Sequence, residues 1–211
     1  MTFERFPALL SEALPARGYE APTPVQAAVL EPEAEGQDLI VSAQTGSGKT
    51  VAFGLAMSAQ LLDESGKLRP ANAPKALIIA PTRELALQVS RELDWLYKGT
   101  GARVETCVGG MNVVRERRAL QQGAHIVVGT PGRLRDHLER GALELHELAV
   151  AVLDEADEML DMGFREELGG MLGASPQDRR TLLFSATMPS QIVALARRYQ
   201  TDALRISTVE Q

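Results

Sequence analysis

The sequence holds a single cysteine, Cys107, so no internal disulfide can form and no CxxC pair suggests a zinc site. A chain of this kind fits a reducing compartment, most simply the cytoplasm. No stretch approaches the roughly 20 apolar residues of a membrane span. Met1-Thr2-Phe3-Glu4-Arg5 lacks the basic and then apolar run of a secretory signal. Positive charge is also short: 22 Lys and Arg against 28 Asp and Glu leave a net charge of −6. Phosphate-neutralising surfaces are usually basic. Any nucleic-acid face on this chain must therefore rely on backbone amides and a few placed arginines. No internal repeat or low-complexity tract stands out.

What is present is ordinary for one globular α/β domain: 211 residues, 45% apolar and 24% charged. Short apolar runs read as strands at Leu39–Ser42, Ala76–Ala80, Val104–Val108, Ile126–Gly129, Ala149–Leu153, Thr181–Phe184 and Leu204–Ile206. They are continuous rather than alternating, which fits strands covered on both faces in a parallel sheet. Cys107, inside one run, reads as a buried core residue. Apolar residues at three- and four-residue spacing predict helices over Lys49–Leu62, Arg83–Tyr97, Val113–Gln121, Gly132–Glu139, Arg165–Leu172 and Gln191–Tyr199. Two more are expected over Ala8–Ala16 and Pro24–Glu33, and a loop over Asp63–Pro74. Strand alternating with helix predicts a predominantly parallel sheet with helices on both faces.

Ala43-Gln44-Thr45-Gly46-Ser47-Gly48-Lys49-Thr50 follows a predicted strand and opens a helix, the context of a phosphate-binding loop. Its glycines let backbone amides turn against phosphate oxygens, and the helix N-terminus adds a positive dipole end. In such a loop Lys49 reaches the β- and γ-phosphates of a nucleotide and the Thr50 hydroxyl binds Mg²⁺. The general pattern has Gly where this chain has Ala43. A second strand ends in Asp154-Glu155-Ala156-Asp157. Asp154 there suits Mg²⁺ and Glu155 suits orienting and deprotonating an attacking water. Asp157 and Glu158 also read as acids favoured at a helix N-terminus. Thr23, Pro24 and Gln26 read as a helix-capping box.

Asp154–Asp157 spells the motif of the DEAD-box RNA helicases, and the sequence resembles the N-terminal RecA-like, ATP-binding domain of that family, of bacterial type. Ala43–Thr50 is similar to its motif I, first Ala included. Pro81-Thr82-Arg83-Glu84-Leu85 resembles motif Ia, Gly109-Gly110 the GG motif, Thr130-Pro131-Gly132-Arg133 motif Ib and Ser185-Ala186-Thr187 motif III. Gly18-Tyr19 with Pro22–Gln26 resembles the Q motif.

The resemblance implies that Gln26 binds the adenine edge, with Tyr19 in the same motif and Phe3 stacking on the base; Phe6 is the alternative to Phe3. It implies that Pro81, Thr82, Arg83, Gly109, Gly110, Thr130, Pro131, Gly132 and Arg133 grip an RNA sugar–phosphate backbone without reading sequence. Asp157, Ser185 and Thr187 would couple the two sites.

The expected organisation is Q-motif helices over residues 1–35, a RecA-like core over 36–207 and the start of an interdomain linker over 208–211. The family's second RecA-like domain, whose arginines reach the γ-phosphate, has no counterpart after Thr187. An arginine supplied in trans is worth about 10³–10⁵ in rate. The isolated domain is therefore expected to be a monomer that binds nucleotide weakly and hydrolyses ATP slowly, with little stimulation by RNA. Two other readings stand beside this one. One is another superfamily 2 helicase domain, which Ala156-Asp157 and the Gln26 segment disfavour. The other is a nucleotide-gated RNA-binding module without turnover.

Overall fold

The computed structural model describes residues 8–208; Phe3 and Phe6 lie outside them. In chain order, α1 (Ala8–Ala13) and α2 (Pro24–Val29) precede β1 (Leu39–Ser42), α3 (Lys49–Ala56) and α4 (Ser58–Leu61). Next come β2 (Ala76–Ile79), α5 (Arg83–Tyr97), β3 (Val104–Cys107), α6 (Val113–Gln122), β4 (Ile126–Gly129) and α7 (Pro131–Glu139). The rest is β5 (Val150–Leu153), α8 (Ala156–Asp161), α9 (Arg165–Gly173), β6 (Arg180–Ser185), α10 (Ser190–Tyr199) and β7 (Leu204–Ser207).

Among the described residues, seven strands form one sheet in the order β3-β4-β2-β5-β6-β1-β7, every pair parallel. The continuous apolar runs follow from burial on both faces. Within β2, Ile78 enters one core while Leu77 and Ile79 enter the other, since successive strand side chains point to opposite sides. The first core gathers Leu10 of α1, Leu14 just after it and Val25 and Val29 of α2, with Phe53 of α3 and Val89 and Leu93 of α5. The second gathers Leu134 of α7, Met159 of α8, Leu168 and Met171 of α9 and Ile192 of α10. The sheet is thus covered on both sides, as the sequence pattern predicts. Cys107 is buried in the second core, and burial raises its thiol pKa. No helix among the described residues is long and apolar enough to cross a membrane.

The helix expected over Lys49–Leu62 breaks at Met57. The Arg180 guanidinium donates to the Ala56 carbonyl at 2.7 Å, removing an acceptor from the helical ladder. The Gln60 amide turns to Met57 instead, and the Ser58 hydroxyl bonds back to the Leu55 carbonyl at 2.7 Å. An inserted side-chain donor of this kind is a usual cause of a helix break. Every residue of α3 is buried, so this helix is held rigidly. At Gly54 it approaches α5 so closely that a Cβ would stand 2.8 Å from Leu96, and the buried Tyr97 hydroxyl donates to the Gly54 carbonyl.

Candidate functional site

Because all the strands run the same way, their C-terminal ends share one rim, where open α/β sheets place their ligands. The strand order divides that rim. The neighbours β5, β6 and β1 deliver Asp154-Glu155, Ser185-Ala186-Thr187 and the Ala43–Thr50 loop. The neighbours β3, β4 and β2 deliver Gly109-Gly110, Thr130–Arg133 and Pro81-Thr82-Arg83. The two halves meet where β5 pairs with β2.

In the first half, Gly46 and Gly48 both take left-handed backbone (φ +82°) to turn the chain from β1 into α3. The Ala43 amide donates to the Ser185 carbonyl at 3.2 Å, joining this loop to the end of β6. The Lys49 ammonium lies 2.8 Å from Asp154 Oδ1 and 3.2 Å from Glu155 Oε1. Lysine loop and acid pair thus meet across 106 residues of chain. Burial alone would lower the Lys49 pKa, but the charges and hydrogen-bonding capacity of Asp154 and Glu155 outweigh it and hold it above its usual value. For Asp154, which is fully buried, loss of hydration dominates over Lys49 and raises the carboxyl pKa.

Neither Asp154 oxygen has an aligned hydrogen-bond donor, and the buried Ser47 hydroxyl has none either. Lys49 meets Oδ1 as an ion-pair contact rather than as a directed hydrogen bond. A buried carboxylate with orphaned lone pairs, beside the Thr50 hydroxyl at the head of α3, offers the hard oxygen donors that Mg²⁺ takes. The residues fit that ion.

Glu155 has φ +50°, one of two described non-glycine residues in the left-handed region. Such backbone costs of order 1–3 kcal/mol and clusters at functional positions. Here it turns the chain from β5 into α8 while keeping the Glu155 carboxylate against Lys49.

Asp157 on α8 accepts from the Thr187 amide at 3.1 Å and the Thr187 hydroxyl at 2.8 Å. The Ser185 hydroxyl donates to the Thr187 carbonyl at 2.6 Å and shapes that turn. Burial works to raise the Asp157 carboxyl, but the bonds from Thr187, aided by Ser185, outweigh it and hold it below the usual carboxylate range. A depressed carboxyl stabilises the fold at pH above its ordinary value near 3.8, and the contribution fades as pH falls through the lower folded value. Thr187→Val is therefore expected to move the Asp157 pKa upward in an NMR carboxyl titration. An unchanged titration would remove Thr187 as its cause.

Gln26 fulfils its expected capping role and makes a second contact that the sequence did not indicate. It forms the capping box with Thr23, its Oε1 accepting from the Thr23 amide at 3.0 Å. Its Nε2 also donates to the Gly48 carbonyl at 3.1 Å, locking α2 to the phosphate-loop candidate. A Cβ at Gly48 would stand 2.6 Å from Gln26 Nε2. Gly48→Ala should therefore cost about 1–2 kcal/mol for left-handed backbone alone, with further loss from displacing Gln26. Thermal unfolding checks this, and an unchanged midpoint would contradict it. Tyr19 stacks on Trp95 with ring centroids 5.8 Å apart, and Arg17 lies over the same indole.

In the second half, Thr82 caps α5, its hydroxyl accepting from the Leu85 amide at 3.2 Å. Thr130 makes no such bond to α7, and Pro131 holds the first helical position there. Arg83 is exposed and reaches across to Met111 Sδ at 3.4 Å, against Gly110. Arg133 is tied to the Met111 carbonyl at 3.2 Å and to Glu116 at 2.8 Å.

Sequence reasoning missed two acids. Glu92 on α5 lies close to Thr50 and near Asp154, and burial raises its carboxyl pKa. Glu116 is buried although its neighbours in sequence are the charged Arg115, Arg117 and Arg118. Its signal was helical phase, since it shares the inward side of α6 with Val113 and Leu120.

A model of the DEAD/DEAH box helicase family matches residues 23–195. The chain is 45% identical over 193 residues to the DEAD-box ATP-dependent RNA helicase CshA of Bacillus licheniformis, covering 92% of this chain and 38% of that protein. It is 44% identical over 193 residues to the ATP-dependent RNA helicase CshA of Limosilactobacillus reuteri, with the same coverage. The chain thus spans well under half the length of these relatives. Among solved structures, a DEAD box protein from Methanococcus jannaschii superposes with a TM-score of 0.90 at 37% identity, over 99% of this chain and 56% of that one. A hypothetical ATP-dependent RNA helicase from Sulfolobus tokodaii gives 0.84 at 30% identity, over 95% and 56%.

Proposed function

From the premise that this chain belongs to the DEAD/DEAH box helicase family, we propose that it binds Mg-ATP and an RNA backbone on one rim of its sheet. It would act as the N-terminal half of an ATP-dependent RNA helicase in the cytoplasm. The observation that carries the reading is the Lys49 ammonium 2.8 Å from the buried, hydrogen-bond-poor Asp154. A cation already matched to that carboxylate can turn to the β- and γ-phosphates once a metal ion takes its place.

Thr50 and Asp154 would hold Mg²⁺, which supplies charge neutralisation on the phosphates and orients them. The amides of Gln44–Gly48 would cradle the phosphate oxygens. Glu155 would accept the proton of a water attacking the γ-phosphorus as the bond to the β-phosphate oxygen breaks. Gln26, on leaving the Gly48 carbonyl, would meet the adenine edge, with Tyr19 behind it and Phe3 stacking on the base.

RNA phosphates would meet the helix starts at Thr82 and Thr130–Gly132, the backbone at Gly109-Gly110, and Arg83 and Arg133. Such a grip is compatible with a net charge of −6, since helix N-termini need few lysines. The Asp157–Thr187 bonds join the first half of the rim internally and suit coupling. Completion of the cycle calls for a second RecA-like domain in the complete gene product.

Titration of this chain, expected to be a monomer, with a fluorescent ATP analogue tests the nucleotide reading. Binding should require Mg²⁺, be competed by ATP and ADP, and resist GTP. Equal competition by GTP would remove Gln26 from base selection, and magnesium-independent binding would remove Asp154 and Thr50 as its ligands.

A further inference from the structure

Glu116 makes more directed contacts than any role so far assigned to it requires. Its Oε2 accepts from the Val108 amide at 2.9 Å, just before Gly109-Gly110. Its Oε1 accepts from Arg133 Nη1 at 2.8 Å and lies 2.9 Å from His137 Nε2. Arg133 Nη1 also reaches the Met111 carbonyl, just after the two glycines. One buried carboxylate therefore binds the segment leaving β3 and two successive turns of the helix leaving β4.

We propose that Glu116 is the positioning residue of the polynucleotide-facing half of the rim, fixing Arg133 and the Gly109-Gly110 turn at one mutual spacing for consecutive phosphates. The inference rests on the RNA reading above and adds the residue that preorganises it. Chemistry favours the role. Three donors converge on Glu116, which a carboxylate can satisfy through two oxygens and about four lone-pair sites. The pairing with Arg133 is charge-assisted and geometrically strict. The bonds from Arg133 use Nη1, and a guanidinium fork carries further donors on two other nitrogens that can serve a phosphate.

Cys107 lies within 4.8 Å of the same carboxylate and His137 ligand atoms. The three could suggest a zinc site. The Arg133 cation on Glu116 Oε1 and the neutral, burial-raised thiol argue for a preassembled anchor instead.

Glu116→Gln places an amide nitrogen where a donor must be received, and Glu116→Asp shortens the reach by one methylene. In the complete gene product, either change should raise the RNA concentration for half-maximal ATPase stimulation roughly tenfold. The turnover at saturating RNA and the affinity for the fluorescent ATP analogue should stay within about twofold of the parent. In an Arg133→Gln background most of the Glu116→Gln effect should disappear, because residues that act through each other are non-additive.

A half-saturation point unmoved by both Glu116 variants, while Arg83→Ala raises it, overturns the role of Glu116 and leaves the RNA face standing. Insensitivity to Arg83→Ala and Arg133→Gln as well overturns the RNA face itself. Full additivity with Arg133→Gln, or parallel loss of nucleotide affinity, reduces Glu116 to a structural residue and ends the proposal.

Discussion

Glu155→Gln is expected to lower ATP turnover by about 10²–10⁴-fold, the range a positioned general base contributes, with nucleotide binding retained. The amide matches the carboxylate in size. It keeps an oxygen to accept from Lys49, which now stands 3.2 Å from Glu155 Oε1, so the loop geometry is preserved. What it loses is the capacity to take a proton from water. The unusual backbone at Glu155, φ +50°, fixes where the side chain starts and is unaffected by the change. Phosphate release in the complete gene product with RNA, set beside a nucleotide titration, separates the two effects. Turnover within tenfold of the parent would remove Glu155 from the chemical step. Equal loss of binding and turnover would make it a ligand-binding group instead.

Lys49→Met should abolish measurable nucleotide binding and also destabilise the fold. Asp154 is fully buried and its oxygens receive no aligned hydrogen bond, so Lys49 is its main source of compensation. Removing one partner of a buried ion pair costs about 3 kcal/mol at the lower end of the usual range. The lower end applies because Asp154, already raised by burial, can take up a proton. Without Lys49 its pKa rises further. A raised carboxyl destabilises the folded state at pH above its folded value, and the penalty shrinks as pH falls toward the ordinary value of 3.8. The stability defect of Lys49→Met should therefore be largest near neutral pH and diminish in acid. Adding Asp154→Asn should restore much of the loss while leaving binding absent. Denaturant melts of the two variants at several pH values check this. A pH-independent defect, or a double variant no more stable than the single, would show that the Lys49–Asp154 contact is not what the fold depends on.

Much of the fold was legible because burial on both faces imposes a simple pattern. The apolar runs at Leu39, Ala76, Ile126 and Val150 can hardly be anything but central strands. Strand boundaries moved by only a residue or so, as at Arg180, whose backbone pairs with Val150 and begins β6 one residue early. The helices expected to reach Ala16 and Glu33 instead end at Ala13 and Val29, short of Pro15 and Pro32, which lack the N–H that a helix interior needs. The Arg180 guanidinium on the Ala56 carbonyl explains the break in the helix expected over Lys49–Leu62, since no local signal near Met57 reports a donor arriving from residue 180. The capping box of Thr23 and Gln26 was legible as a local pattern, whereas the bond from Gln26 Nε2 to the Gly48 carbonyl joins residues 22 apart and was not. Glu116 stands among three arginines, and only helical phase marks it as the inward residue of α6.

The sequence by itself determined which residues stand at strand ends, because periodicity and glycine placement are local properties. It determined the class of sheet for the same reason. Tertiary structure alone decided that β5, β6 and β1 are neighbours and that β2, β3 and β4 form the other half. Strands buried on both faces are all apolar alike, so their order is carried by long-range packing rather than by any single run. That order is what brings Lys49 within 2.8 Å of Asp154 and Glu116 within reach of Arg133.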